Sequence, residues 1–130
     1  MKTEFQEVAR FGFMKHNGGF QFREVSKSEF EYKTTIQDMH LNSGGITHGG
    51  YIMSLMDSGL GTAVYRTLDP NDRAATISLD VKFIAASNVG DTLIGSAKIL
   101  KKTRSLVFVS GELRRGQTLV ATADGIWKIL

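Results

Sequence analysis

Residues 48–68 form the one long helix candidate in a chain whose other regular segments alternate like strands. A helix that is apolar on nearly all sides is a buried helix. The apolar residues of this segment go most of the way round: Tyr51, Ile52, Met53, Leu55, Met56, Leu60 and Val64. One sheet must therefore curl around this helix, or a partner must cover it. Gly59 and Gly61 weaken the helix by about 1 kcal/mol each relative to alanine, so we expect another backbone to approach closely there.

The segments around the helix alternate with the period of strands. Two hairpins are predicted, one formed by residues 20–25 and 29–36 and the other by residues 92–101 and 105–114. Residues 74–86 and 118–129 predict two more strands. In the first of these, Ile77, Leu79, Val81 and Phe83 are expected on one face, and Thr76, Ser78, Asp80 and Lys82 on the other. Residues 4–15 predict a short helix that ends at Gly18-Gly19.

The composition indicates one globular domain spanning residues 1–130, with 42% hydrophobic and 22% charged residues. The absence of cysteine excludes disulfides, thiolate nucleophiles and cysteine metal sites. The N-terminal residues do not resemble a signal peptide, and no apolar run reaches the roughly 20 residues that span a bilayer. We therefore expect a cytoplasmic protein that binds no membrane. The net charge of +3 is spread over the chain, which does not indicate nucleic acid binding and suits a small anionic ligand or a solvated surface.

Glycines cluster where the helix begins. Thr47 is a plausible N-cap, and His48, Gly49 and Gly50 would form the first turn. The first N–H groups of a helix lack internal partners and lie at the positive end of its dipole. Without side chains at Gly49 and Gly50, a ligand carbonyl can reach these donors, as an oxyanion hole requires. The alternatives are a flexible turn or tight packing; a phosphate loop is disfavoured because no Gly-Lys-Ser/Thr follows.

Asp57 is the only charged residue between His48 and Arg66. Burying a carboxylate without partners is costly, so this acid is paired, takes part in chemistry, or caps a new helix after a break at Asp57-Ser58-Gly59. Gly49 lies eight residues earlier, about 12 Å along a helix. If Asp57 and Gly49 act on one substrate, they must come from different subunits, which predicts a two-fold dimer with two shared sites.

Other polar residues near the helix offer weaker signals. The Asn42 amide can hold a substrate carbonyl or a water, or can form a turn. His48 is either a base or a structural hydrogen-bonding residue. No metal site is expected from Asp38 and His40, because no third ligand stands at a usual spacing. A G-x-S-x-G elbow is absent around the helix serines, which excludes an α/β-hydrolase triad.

The stretch from His40 to Gly61 resembles the signature of the hotdog-fold acyl-CoA thioesterases of the phenylacetate-degradation (PaaI) type. That signature is N-x-x-G-x-x-H-G-G followed by an acid on the helix. It is matched in order and spacing by Asn42, Gly45, His48, Gly49, Gly50 and Asp57. The order of strands and helix also agrees, so the resemblance covers nearly the whole chain from about residue 18.

The resemblance implies an α+β hotdog fold, in which an antiparallel sheet wraps around one long central helix. It implies a dimer at least, and a homotetramer in this branch. The thioester carbonyl would bind the N–H of Gly49 or Gly50, with Asn42 placing the carbonyl or the water and His48 lining the substrate site. Asp57 of the facing subunit would be the nucleophile or general base, and Ser78 would assist it.

The implied reaction is hydrolysis of an acyl-CoA thioester to an acid and CoA. It needs no cofactor, because CoA is part of the substrate. Lys101, Lys102 and Arg104 are candidates for binding its phosphates. Two alternatives stay open at this point: a hotdog hydratase or dehydratase that uses His48 and Asp57, and a non-catalytic acyl-CoA-binding module.

Overall fold

A computed structural model of the chain describes residues 2–130; Met1, the first residue of the predicted domain, lies outside the described residues. The described residues form one antiparallel sheet that packs against one long helix, as predicted. The elements in chain order are β1 (Gln6–Glu7), α1 (Gly12–His16), β2 (Gln21–Glu24), β3 (Glu29–Thr35), α2 (Gly49–Tyr65), β4 (Ala74–Phe83), β5 (Thr92–Lys102), β6 (Leu106–Arg115) and β7 (Thr118–Ile129). The strand order in the sheet is β1-β2-β3-β5-β6-β7-β4. Within residues 2–130, no helix has the length and apolar character needed to cross a membrane.

Helix α2 is continuous over 17 residues, so the predicted break at Asp57 does not occur. Helix α2 was predicted to be buried on nearly all sides by the sheet or by a partner, and within this chain the sheet covers only one side of it. The covered side carries two adjacent stripes of residues: Tyr51, Ile52, Leu55, Met56, Gly59, Leu60, Ala63 and Val64. The opposite side is half-buried or exposed and includes Asp57 and Gly61. This open side is where a ligand can approach the helix.

Gly59 lets α2 lie directly on an aromatic ring. A Cβ built on Gly59 would lie 2.5 Å from ring atoms of Tyr32, and a Cβ on Gly95 of β5 would overlap the other part of the same ring. Tyr32 is fully buried, and burial raises the pKa of its phenol. The expectation of close backbone approach is therefore corrected: a side chain, not a backbone, occupies the space that the glycine leaves.

Both predicted hairpins are present, β2–β3 and β5–β6, and β7 pairs with β6 on one side and β4 on the other. Strand β4 departs from simple alternation. Thr76 pairs with Trp127 and Ser78 pairs with Ile126, so Ile77 is the extra residue of a β-bulge. The bulge places Thr76 and Ser78 on opposite faces of the sheet, whereas strict alternation predicted both on the same face. It also leaves Ile77 57% exposed rather than packed beside Leu79 and Val81.

The prediction of a helix over residues 4–15 is mostly wrong. Gln6–Glu7 pairs with β2, and only Gly12–His16 is helical. Pairing with an existing strand satisfies the backbone here, whereas the helical spacing of the apolar residues was irregular. Gly12 has a φ of +83°, which separates the extended part of the segment from the helical turn. Gly18 and Gly19, with positive φ, end the turn as expected.

We expect Gly59→Ala to destabilise the protein by about 1–3 kcal/mol, because the added methyl would overlap the Tyr32 ring. Gly61→Ala is the matched control on the same helix. Its Cβ would lie 3.4 Å from Trp127, an ordinary contact, so its higher helix propensity should raise stability by up to about 1 kcal/mol. Urea unfolding of both variants measures the difference. Equal stability of the two variants would contradict the packing of Tyr32 between the two glycines.

Candidate active site

Asp57 lies in the middle of α2 on its open side, where it is half-buried. Its Oδ1 accepts a hydrogen bond of 2.8 Å from the Thr76 hydroxyl. In the part of the chain that the structure describes, no lysine, arginine or histidine forms an ion pair with this carboxylate. The acid is therefore oriented by a hydroxyl but not neutralised by a cation, which suits a group that acts on a ligand.

Thr76 was not among the predicted site residues. Its partner across the sheet is Trp127, which is buried beneath α2, so Thr76 faces the helix. Ser78, which was predicted to assist Asp57, points to the outer face beside Ile126. The prediction of Ser78 is corrected to Thr76, and the β-bulge at Ile77 is the physical reason. A bulge changes the face of every later residue, which strict alternation does not detect.

His48, not Thr47, is the N-cap of α2. The Gly50 N–H donates to His48 Nδ1 over 2.7 Å, while the N–H of Tyr51 bonds to the His48 carbonyl over 3.0 Å. Because Nδ1 accepts this bond, the ring proton of neutral His48 lies on Nε2. Thr47 is buried, and its hydroxyl donates instead to the Ser87 carbonyl. Among the described residues, the cap leaves the Gly49 N–H of the first helical turn without an acceptor.

Of the two predicted glycine donors, Gly49 is the free one. Across the described residues, no acceptor bonds to the Gly49 N–H, whereas the Gly50 N–H is taken by the His48 ring. Asn42 lies beside it in the loop before the helix. Its Oδ1 accepts from the N–H groups of Gly44 and Ile46 over 2.9 and 3.3 Å, so the amide NH₂ is the group that Asn42 can offer as a donor. Gly49 and Asn42 thus offer two donors and no acceptor to a ligand carbonyl.

Donors and acid open onto separate clefts in one chain. Asn42 and Gly49 line a cleft of about 340 Å³, here called the Asn42 cleft, together with Phe83 and Ser87. Asp57 and Thr76 line another of about 590 Å³, here called the Asp57 cleft, together with Tyr65 and Trp127. The two parts of the predicted site are therefore not brought together within one chain. This agrees with the separation of about 12 Å expected along the helix.

The other residues considered from the sequence lie outside both clefts. His40 is buried, its Nδ1 accepts from the Gln37 N–H, and its Nε2 lies 2.6 Å from the Asn17 carbonyl, so both nitrogens are engaged by backbone. Lys102 donates to the Thr67 carbonyl just after α2 over 2.6 Å. Lys101 and Arg104 are exposed near the β5–β6 turn, on neither cleft.

Comparisons with known proteins agree with this architecture. The sequence profile described as the thioesterase superfamily matches residues 44–122, more than half of the chain. A protein of Pseudomonas aeruginosa that is provisionally named an esterase is 31% identical over 112 residues, which covers 86% of this chain and 84% of the relative. The mouse acyl-coenzyme A thioesterase 13 is 24% identical over 90 residues, covering 69% of this chain and 64% of the relative.

Solved structures give the same result. A structure from Ralstonia eutropha, described as a thioesterase and a phenylacetic acid degradation-related protein, superposes with a TM-score of 0.77 at 28% identity and covers 82% of each chain. The profile match, the esterase relative and the sheet around one helix all lead to one assignment. The chain belongs to the thioesterase superfamily: it is a hotdog-fold enzyme that hydrolyses thioesters.

Proposed function

We propose that the protein hydrolyses acyl-CoA thioesters at a site shared by two chains. The Gly49 N–H and the Asn42 NH₂ of one chain hold the thioester carbonyl, and Asp57 of the other chain acts on its carbon. The observation that carries this proposal is the separation just described: free donors lie on one cleft and an unneutralised acid on another. The name of the mouse relative supports acyl-CoA as the substrate class.

The course of strand β4 supports a site completed by two chains. Its first part carries Thr76, which bonds to Asp57, and its last residue, Phe83, packs 3.5 Å from the Cβ position of Gly49. The two half-sites therefore mark opposite ends of one strand. If two copies of β4 pair antiparallel about a two-fold axis, the Thr76 end of each lies opposite the Phe83 end of the other. Asp57 of one chain then approaches Gly49 of its partner, twice per dimer.

The edge position of β4 supports this pairing. Strand β4 ends the sheet order and, among residues 2–130, pairs with β7 alone, which leaves one edge of ten residues open. Long open edges are hazards that proteins usually cover. Three apolar side chains there are more than half exposed: Ile77 at 57%, Phe83 at 53% and Ile84 at 56%. A second copy would cover them.

A dimer of dimers would need another surface. The outer face of the sheet offers an apolar patch formed by Leu100, Phe108 and Ile126. The homotetramer stays a prediction supported by this patch, and the cytoplasmic location also stays a prediction.

The proposed chemistry uses water and groups of the chain. The two donors stabilise the negative charge that develops on the carbonyl oxygen. Asp57 either takes a proton from water as the oxygen attacks the carbon, or attacks the carbon itself to give an anhydride that water then opens. In both routes the carbon–sulfur bond breaks and the CoA sulfur leaves as a thiolate that takes up a proton. No cofactor is required.

The geometry of His48 disfavours the hydratase alternative. A histidine base needs an unprotonated ring nitrogen that faces the substrate. The unprotonated nitrogen of His48 is Nδ1, and it already accepts the Gly50 N–H. The assignment of the chain as a thioesterase likewise leaves no support for the non-catalytic binding module.

We expect Asp57→Asn to keep the fold and the assembly but to lower kcat by about 10²–10⁴-fold, because the amide cannot act as base or nucleophile. Thiol release from acyl-CoA, followed with a chromogenic disulfide, measures the loss. Turnover near that of the wild type would assign the chemistry to another residue.

We expect Thr76→Ala to lower kcat about 10-fold, because Asp57 loses the hydroxyl that orients it. Ser78→Ala is the matched control, two residues along the same strand on the outer face, and should keep the wild-type rate. The same thiol-release assay compares the two. A larger loss in the Ser78 variant than in the Thr76 variant would reverse the assignment.

We expect two inactive variants to complement each other. Asp57→Ala and Asn42→Ala each damage both sites of a homodimer. In a mixed dimer, one site combines both lesions, and the other draws intact Asn42 from one chain and intact Asp57 from its partner. With random pairing of equal amounts, half of the dimers are mixed and roughly a quarter of all sites are intact.

The experiment is co-refolding of the two variants followed by thiol release, with mass-tagged chains to measure exchange. Recovery towards a quarter of the wild-type activity is expected. Each variant refolded alone is the control and should stay inactive. Proven exchange without recovery would place Asn42 and Asp57 in one chain's site, contrary to the proposal.

A further inference from the structure

The open side of α2 forms one wall of the Asp57 cleft. Asp57, Gly61 and Tyr65 stand at four-residue intervals, so they follow one another along one face of the helix. They extend over about 12 Å from the acid to the tyrosine. The facing walls are Phe20, Trp127 and the N-terminal segment from Val8 to Met14.

Because Gly61 has no side chain, the wall has an open space between Asp57 and Tyr65. The three atoms nearest to a Cβ built at Gly61 all belong to Trp127, at 3.4–3.7 Å. This differs from Gly59, whose missing side chain makes room for the buried Tyr32 ring. Because packing would tolerate a methyl at Gly61, the fold does not demand glycine there. What the glycine provides is room in the cleft.

Tyr65 closes the far end of the hollow. Its hydroxyl donates to the Ala74 carbonyl over 3.1 Å and accepts from the Ala74 N–H over 3.2 Å. These two bonds hold the phenol between the end of α2 and the start of β4. The hollow therefore has a floor at Trp127 and an end at Tyr65.

The size and the lining of the cleft indicate what it would accept. A volume of about 590 Å³ is within the range of about 300–1,000 Å³ that is usual for pockets of drug-sized ligands. An acetyl group would leave most of it unfilled. Phe20 and Trp127, with Phe11 and Phe13 of the N-terminal segment, give the cleft aromatic walls. Arg10 of the N-terminal segment is the one cation in the described lining, and the aromatic walls suit an apolar acyl group.

We infer that the Asp57 cleft binds the acyl part of the substrate, that this acyl group is bulky and apolar, and that Gly61 sets the size that is accepted. This inference rests on the proposed function, because it requires the thioester carbon to lie at Asp57. The acyl group then runs along α2 from Asp57 past Gly61 towards Tyr65. Gly61 determines specificity because its lack of a side chain leaves room for the acyl group.

The test is a comparison of the wild type with Gly61→Ala and Gly61→Val on acetyl-, butyryl-, octanoyl- and phenylacetyl-CoA. The wild type should prefer the two largest acyl groups. Gly61→Ala should lower kcat/KM about 10-fold for these two, and Gly61→Val should lower it further, since one methylene in a pocket changes selectivity about 10–200-fold. The loss for acetyl-CoA should be clearly smaller than the loss for the two large acyl groups in both variants.

Two controls separate a pocket effect from a fold effect. Ser54→Ala is a small-to-alanine change on the same helix, outside both clefts, and should leave the acyl profile unchanged. The melting temperature of Gly61→Ala should equal or exceed that of the wild type. A uniform loss over all four substrates, or an unchanged profile, would overturn the role of Gly61.

A binding measurement distinguishes this inference from the proposed function. Thioether analogues of the same four acyl-CoA molecules cannot be hydrolysed, and calorimetry gives their affinities. The inference expects Gly61→Ala to weaken binding of the octanoyl and phenylacetyl analogues alone. If the wild type binds these analogues but releases no thiol from the matching thioesters, the proposed hydrolysis fails, and the affinities alone then decide whether the Asp57 cleft and Gly61 select the acyl group. Equal affinities in wild type and variant would overturn the inference even in an active enzyme.

Discussion

The packing of helix α2 against the Tyr32 ring fixes the position of Gly49 and Asp57, the two candidate site residues that the helix carries. Tyr32 rises from β3 into a slot made by Gly59 on the helix and Gly95 on β5, so the helix and the sheet meet across one ring. Close packing makes such a contact intolerant of added atoms. Because α2 is one rigid rod, this contact also places its N-terminal donors and its central acid. The packing that sets the depth of the helix in the fold therefore also sets the positions of Gly49 and Asp57.

The N-terminus of α2 divides its backbone donors between structure and ligand. His48 caps the Gly50 N–H, and the Tyr51 N–H returns to the His48 carbonyl, so the Gly49 N–H is left for a ligand. Asn42 makes a similar division within one side chain: its oxygen accepts hydrogen bonds from the loop, and its NH₂ remains as a donor. A site with donors only is selective for an oxygen that becomes negative. In the proposed site, the histidine of the signature would organise the helical turn around the Gly49 donor.

Much of the fold follows from the sequence, because its helix and strands have clear periods. The segments of β2, β3, β5, β6 and β7 were all predicted close to their observed bounds. A motif that fixes residue types and spacing predicts Asn42, Gly49 and Asp57 as site residues, and their roles stay predictions. The hydroxyl partner of Asp57 was missed because the backbone departs from its period: the extra residue at Ile77 turns Thr76, and not Ser78, towards the helix. The N-terminal segment was missed because its apolar spacing was too irregular to outweigh strand pairing with β2.

The arrangement of half-sites on α2 has a mechanical consequence for the proposed dimer. Each helix would supply the donors of one site from its first turn and the acid of the other site from its centre. A shift of one helix along its axis would therefore alter both sites at once, opening the carbonyl contact in one and displacing the acid in the other. A substrate that displaces the Gly49 amide in the first site would also displace Asp57 in the second site, because both residues lie on the same helix. The two sites would share one moving part, so their turnovers need not be independent.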